Sequence, residues 1–261
     1  MTPAATMQAF ESRGQLSAPA DATSTIDAGD CGRGVVGSKA AAGACQRIVS
    51  MLPAHSIFVE AFAGGAAVSK FKRPASATLL IERDPRTAAT LRAAMRDRAL
   101  VVVADAIDVL PMARLPAEVC VYCDPPYMMS SRRTARRYYR FDWSDADHER
   151  FLAWAKAASC PVLISGYHSR LYEIELAGWR SISFGVPTRR GRAIEHVWCN
   201  FPDTHALHDP GHVGLSFTDR QRIKRKAARW ARMLAAMPPG ERAAVLEAIA
   251  SSIDAGDCAA G

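Results

Sequence analysis

Short apolar runs alternate with segments of helical period along most of the chain. An Ala-rich segment predicts a helix over 38–52, stopped by Pro53. An apolar strand over 57–61 then runs into Phe62-Ala63-Gly64-Gly65. Further strands are expected over 77–82, 100–104, 119–123 and 161–165, with helices over 86–98, 145–159 and 170–177. Residues 180–184 and 194–201 read as a closing hairpin across a turn at 188–192. Strands separated by helices need crossovers, so the pattern predicts an α/β fold: a mostly parallel sheet with helices on both faces. The C-terminal hairpin is its antiparallel exception.

Beyond Pro202 a polar connector leads to a long helix. Thr218-Asp219-Arg220-Gln221 has capping-box spacing, and Ile223, Ala227, Trp230, Leu234 and Met237 fall on one helical face. Pro238-Pro239-Gly240 breaks it before a second helix over 241–249. The expected division is a disordered tail at 1–34, a catalytic body at 35–201, a basic helical extension at 202–250 and a disordered tail at 251–261. The two tails share an echo, Ser24-Thr25-Ile26-Asp27-Ala28-Gly29-Asp30-Cys31 against Ser251-Ser252-Ile253-Asp254-Ala255-Gly256-Asp257-Cys258.

Charge sharpens the division. The chain of 261 residues carries +7. Residues 1–34 and 251–261 each carry −2, so 35–250 holds +11. A basic body suits a polyanionic partner. No apolar run approaches the roughly 18–20 residues of a membrane span, and no basic start precedes an apolar stretch. A cytoplasmic protein without membrane contact, acting as a monomer, is the expectation. Seven scattered cysteines are no disulfide framework. Cys120 and Cys123 sit inside a strand and read as buried thiols. Cys199, His205, His208 and His212 lack the second Cys pair that would argue for zinc, so no metal is expected.

The chemistry gathers at strand ends, where ligands bind in doubly wound sheets. Glycines in Phe62-Ala63-Gly64-Gly65 let backbone approach a ligand. Glu82, ending the second strand, has two oxygens to match a ribose diol. Asp105 ends the third strand, placed to reach an amino group. Asp124-Pro125-Pro126-Tyr127 ends the fourth and is the strongest signal. An exocyclic amine on a base is a poor nucleophile because its lone pair is delocalised. The Asp124 carboxylate and the Pro125 carbonyl can each accept one N–H, which draws the nitrogen toward tetrahedral geometry. The prolines remove competing N–H donors, and Tyr127 offers a flat face for a base.

These pieces resemble the Dam-like N6-adenine DNA methyltransferases, in their short phage and prophage form. The resemblance runs from about Val36 to the C-terminal helices. It rests on Gly37-Ser38-Lys39, Phe58-Val59-Glu60-Ala61-Phe62-Ala63-Gly64-Gly65, Arg73-Pro74-Ala75, Asp105-Ala106, Asp124-Pro125-Pro126-Tyr127, His148 and Ser165-Gly166-Tyr167, in that order. It implies a Rossmann-like AdoMet-dependent methyltransferase fold, S-adenosyl-L-methionine as cofactor and double-stranded DNA as partner. By position, Lys39, Glu60, Phe62, Gly64, Gly65, Glu82, Asp105 and Asp124 would hold the cofactor, with Asp124, Pro125, Pro126 and Tyr127 at the reacting amine. Val35 stands where the family carries Trp, and Ala61 where it carries Pro.

Such enzymes commonly hold a recognition domain between the glycine loop and the Asp-Pro-Pro-Tyr motif. Only 58 residues separate Gly65 from Asp124 here. DNA reading is therefore expected from 128–143, with Arg132, Arg133, Arg136, Arg137, Tyr138 and Arg140. The turn with Arg189 and Arg190 is a second candidate and the basic helix from Arg220 to Arg232 a third. N4-cytosine, RNA or glutamine methylation share the amine-holding geometry. A non-catalytic DNA-binding relic and a dehydrogenase complete the alternatives, the last without a GxGxxG loop.

Overall fold

The computed structural model describes residues 43–128, 142–188, 191–203 and 206–258. A seven-stranded sheet forms its centre: β1 (Ile57–Ala61), β2 (Ala77–Glu82), β3 (Leu100–Val103), β4 (Val119–Cys123), β5 (Val162–Gly166), β6 (Arg180–Thr188) and β7 (Gly191–Cys199). Their order is β3-β2-β1-β4-β5-β7-β6. The first five strands are parallel, and β7 runs antiparallel to both β5 and β6. This is the expected mostly parallel, Rossmann-like sheet, with the closing antiparallel hairpin in its expected place.

Parallel strands covered on both faces read as nearly continuous apolar runs. All five residues of β1, β4 and β5 are buried accordingly. Alternation then sorts them. Val59, Ala61, Val121, Cys123 and Ile164 join Phe151 and Leu152 of α5 (Asp145–Ala157) on one face. Phe58, Cys120, Tyr122, Leu163 and Val197 join Ile48 and Val49 of α1 (Ala44–Val49) and Val68 of α2 (Ala67–Phe71) on the other. Cys120 and Cys123 are buried thiols, as their strand position required.

The remaining helices of this unit are α3 (Pro85–Met95), α4 (Ala106–Val109) and α6 (Arg170–Glu175). Several bounds differ from expectation. The described part of the first helix is Ala44–Val49, with Gly43 in the left-handed region at φ 93°. The helix expected over 86–98 starts at Pro85, capped by Asp84, and tightens to a 3₁₀ turn after Met95. The hairpin strands extend to Thr188 and from Gly191, nearly closing the wide turn expected between them. Neither α2 nor α4 was expected; both are too short to show a helical period.

Residues 206–212 close this first unit, which ends at His212. They pair with the connection between α1 and β1: the Ala54 N–H donates to the Ala206 carbonyl at 2.7 Å, and the His208 N–H to that of Leu52 at 3.0 Å. The rings of His55 and His208 stack at 3.8 Å. Here the unit extends past the boundary expected at 201.

A second compact unit begins at Val213 and holds α7 (Phe217–Ala236) and α8 (Pro239–Cys258). Its cap is not the expected Thr218. Ser216 takes that place, its hydroxyl accepting from the Asp219 N–H at 3.0 Å, while Asp219 accepts from the Leu215 N–H at 3.0 Å. Gly214 sits at φ 133°, where a Cβ would lie 2.7 Å from the Arg220 nitrogen, so only glycine fits. The second helix runs to Cys258, through most of the segment expected as a tail. Among the described residues no helix is long and apolar enough to cross a membrane.

Candidate functional site

Strand order reverses between β1 and β4, and such a switch point opens a crevice at the carboxyl ends of the strands. The glycine loop leaves β1 on one side of it. The Asp-Pro-Pro-Tyr segment leaves β4 on the other.

The loop is strained. Phe62, Gly64 and Ala66 all lie in the left-handed region, at φ 64°, 50° and 50°. For non-glycine residues that conformation costs on the order of 1–3 kcal/mol each and persists only where surroundings enforce it. Three contacts do so. The Ala63 N–H donates to the Ile81 carbonyl at 2.9 Å. The Gly64 N–H donates to Glu82 Oε2 at 2.8 Å. The Phe62 ring meets Trp143 edge-on at 4.9 Å and Phe151 at 5.7 Å. Glu82, expected to hold a ribose, thus also anchors the loop. Its Oε1 accepts from the Asp84 N–H at 2.7 Å. Each carboxylate oxygen has a second lone pair, so acceptor capacity for a diol remains.

Asp105 stands at the end of β3 as the N-cap of α4. Its Oδ1 accepts from the Ile107 N–H at 3.4 Å, and its Oδ2 pairs with Arg83 at 2.9 Å. Burial raises the Asp105 pKa, while the Arg83 guanidinium opposes that rise. Sequence reasoning missed Arg83, a cation directly after Glu82 that projects across the ends of β2 and β3.

Glu60, expected among the cofactor contacts, points into the fold instead. It is 4% exposed, and its Oε2 accepts from the Ser69 N–H in the first turn of α2 at 2.8 Å. Burial pushes its carboxyl up to about 7 against the hydrogen bonds from Ser69, and the negative Asp124 nearby adds to the rise. Register explains the neighbours: Glu60 pairs with Tyr122 across β1 and β4, and Asp124 follows Tyr122 by two.

Asp124 accepts from the Ser165 hydroxyl at 3.2 Å, and Ser165 in turn meets the Tyr122 hydroxyl at 2.8 Å. Pro125 is buried and Pro126 half-buried. The Tyr127 ring stacks on Tyr167 at 4.1 Å, with 23° between planes. One face of the Tyr127 ring is therefore covered by Tyr167. His148 is buried, with Nδ1 2.9 Å from the Tyr172 hydroxyl. The His168 and His196 rings lie 5.3 Å apart, His168 two residues past the end of β5 and His196 on β7 opposite Gly166.

The structure thus brings Phe62, Gly64, Gly65, Glu82, Asp105, Asp124, Pro125, Pro126 and Tyr127 to one edge of the sheet. Lys39, Arg132, Arg133, Arg136, Arg137, Tyr138, Arg140, Arg189 and Arg190 lie outside the described residues. The two ends of the 128–143 segment are core: Met128 and Trp143 are buried in the cluster around Phe151, which corrects their inclusion in a DNA-contacting segment. Among the described residues, no group of three or more His, Cys, Asp or Glu is arranged to hold a metal ion. A cavity of about 1020 Å³ lies elsewhere, at the amino ends of β1 and β4, lined by Ile57, Val119, Leu110 and Trp154. It holds none of the strand-end carboxylates.

No protein-family model matches the chain, and no curated protein matches it. Among solved structures, the chain is similar to an rRNA methylase from Streptococcus thermophilus at 10% identity and a TM-score of 0.40, covering 59% of this chain and 93% of that one. It is also similar to the precorrin-6y C5,15-methyltransferase from Geobacter metallireducens, at 12% identity and 0.39, covering 59% and 84%. The 23S rRNA methyltransferase ErmE is a third, at 16% identity and 0.38, covering 69% and 73%. These likenesses concern fold.

Proposed function

We propose that the chain is an AdoMet-dependent methyltransferase acting on the N6 amine of adenine in double-stranded DNA. The observation that carries this reading is the pairing at the switch point. Asp124-Pro125-Pro126-Tyr127 leaves β4 directly beside the glycine loop that leaves β1, the two strands being neighbours in register. An amine-holding segment thus faces a ligand-holding loop across one crevice.

The donor set suits AdoMet. Glu82 offers carboxylate oxygens for a ribose diol, Asp105 an acceptor for an adenine amine, and the Phe62–Ala66 backbone a close approach. When bound there, AdoMet supplies an electrophilic methyl group on a sulfonium centre. The chain's own residues do the rest. Basic segments bind the duplex, and an adenine leaves the stack at a cost of about a few kcal/mol. The base stacks on Tyr127, whose ring is backed by Tyr167. Asp124 and the Pro125 carbonyl accept the two N–H bonds of N6, localising its lone pair. Catalysis is then mainly positioning and electrostatics. Asp at the first motif position, rather than Ser or Asn, favours adenine by the habit of the family the sequence resembles.

The deciding experiment incubates the purified protein with unmethylated duplex DNA and methyl-labelled AdoMet, then digests the DNA to nucleosides for mass spectrometry. Label in N6-methyldeoxyadenosine is the expected result. Label in N4-methylcytosine keeps the chemistry and overturns the base. Label only in RNA offered in parallel overturns the DNA substrate. No transfer by a protein that fails to bind AdoMet overturns the enzyme assignment and leaves the DNA-binding relic.

A further inference from the structure

Tyr122, Asp124 and Ser165 share one face of the sheet. Tyr122 and Asp124 are two residues apart on β4 and its continuation, so their side chains project the same way. In the parallel pairing of β4 with β5, Cys123 lies opposite Ile164, which brings Asp124 beside Ser165 one residue further on. Ser165 and Tyr122 are 0% and 1% exposed, and neither hydroxyl belongs to the amine-holding motif. Buried hydroxyls are retained where they are hydrogen-bonded, and here the bonds lead in one direction, toward Asp124.

We infer that Tyr122 and Ser165 form a directed donor chain that positions Asp124 for the amine. The direction follows from proton counting. An ionised carboxylate only accepts, so Ser165 donates its single hydroxyl proton to Asp124 Oδ1 across 3.2 Å. With that proton committed, Ser165 is the acceptor in its 2.8 Å contact, and Tyr122 is the donor. The buried Tyr122 ring fixes the first link and strand pairing fixes the second. The chain holds the carboxylate plane and engages Oδ1 from the side of the sheet, which fixes how the carboxylate is presented to an incoming N–H. Ser165 and Tyr122 are thus positioning residues that act through Asp124. The inference rests on the amine-methylating reading of the site.

The test separates positioning from binding and from folding. In the active enzyme, Ser165→Ala lowers kcat by about 10–100-fold, less than the roughly 10²–10³-fold of a polar group that touches the reacting atoms, while KM for AdoMet and DNA stays within about threefold. Tyr122→Phe gives a smaller loss of the same kind. The double variant is no worse than Ser165→Ala, because the first link has no effect once the second is gone. Wild-type kcat in Ser165→Ala, or fully additive losses, overturns the chain. A second readout does not need activity: the NMR signal of Cζ-labelled Tyr122, assigned by its loss in Tyr122→Phe, shifts in both Ser165→Ala and Asp124→Asn. A Tyr122 signal indifferent to Asp124→Asn overturns the chain. A wild-type protein that methylates no nucleic acid overturns the functional reading instead, and the NMR result still decides the chain.

Discussion

Asp124 and Glu60 sit near each other with opposite assignments. Asp124 faces the crevice and holds a donor from Ser165. Glu60 is closed off behind it. Asp124→Ala is expected to lower the methylation rate by at least about 10²–10³-fold, the scale of removing one preorganised polar group from a reacting centre. AdoMet affinity, measured by calorimetry, stays largely intact. Near wild-type turnover would show that Asp124 does not hold the amine. Glu60 is argued through stability. Its carboxyl is raised from 4.5 to about 7, by burial first. Between those values the unfolded chain ionises Glu60 and the folded chain resists, so the folded state binds more protons and stability falls as pH rises from about 4.5 to 7. His55 acts oppositely. Burial and Lys72 lower it from 6.5 to about 3, so its share of stability is lost as pH falls below 6.5. The two trends offset each other in the wild type. The difference curve for Glu60→Gln, from urea melts between pH 4.5 and 8, isolates one of them. The variant gains on the wild type with rising pH, by up to about 3 kcal/mol near neutrality. A flat difference curve would mean that Glu60 ionises normally. Both carboxylates were legible in the sequence, but their division of labour was not. Whether a side chain turns to the crevice or to Ser69 depends on strand pairing and on a helix too short to announce itself.

At the scale of elements, the β1–α2 turn concentrates strain that composition does not reveal. Glycines at 64 and 65 suggested an accommodating loop, yet two of its three left-handed residues are Phe62 and Ala66. Phe62 offsets the cost by packing its ring between Trp143 and Phe151. Ala66 has one buried methyl to set against it. Relieving a left-handed alanine returns about 1–2 kcal/mol, and losing a buried methyl costs about 0.8 kcal/mol. Ala66→Gly should therefore be neutral or stabilising by up to about 1 kcal/mol in thermal melts. Ala66→Val, which adds a branched Cβ in the same conformation, should destabilise clearly. Equal losses in both would show that packing, not backbone strain, governs this corner. The five parallel strands followed from apolar runs bounded by turns. The element ends did not: Thr188 and Gly191 extend the hairpin through backbone pairing, which leaves little trace in hydropathy.

For the whole molecule, charge is the property the sequence gives most directly and structure converts least directly into function. In α7, seven cations, Arg220, Arg222, Lys224, Arg225, Lys226, Arg229 and Arg232, accompany a single acid, Asp219. Helical spacing gathers Arg225, Lys226, Arg229 and Arg232 along one side. Arg222 is engaged by Asp219 at 2.7 Å. Arg225, Arg229 and Arg232, at i, i+4 and i+7, suit a row of phosphates, whereas a merely solvated face would serve with the same charge spread around the helix. Counterion release distinguishes the two. Each phosphate contact contributes about 0.9 to the slope of log affinity against log salt. Replacing Arg225, Arg229 and Arg232 together by Gln, which preserves helical propensity, should flatten that slope by about 2–3 for duplex DNA while circular dichroism stays unchanged. Methylation of short duplexes should weaken through KM rather than kcat, since none of the three belongs to the crevice residues. An unchanged slope would return the basic face of α7 to solvent and leave DNA binding to the arginines of the first unit.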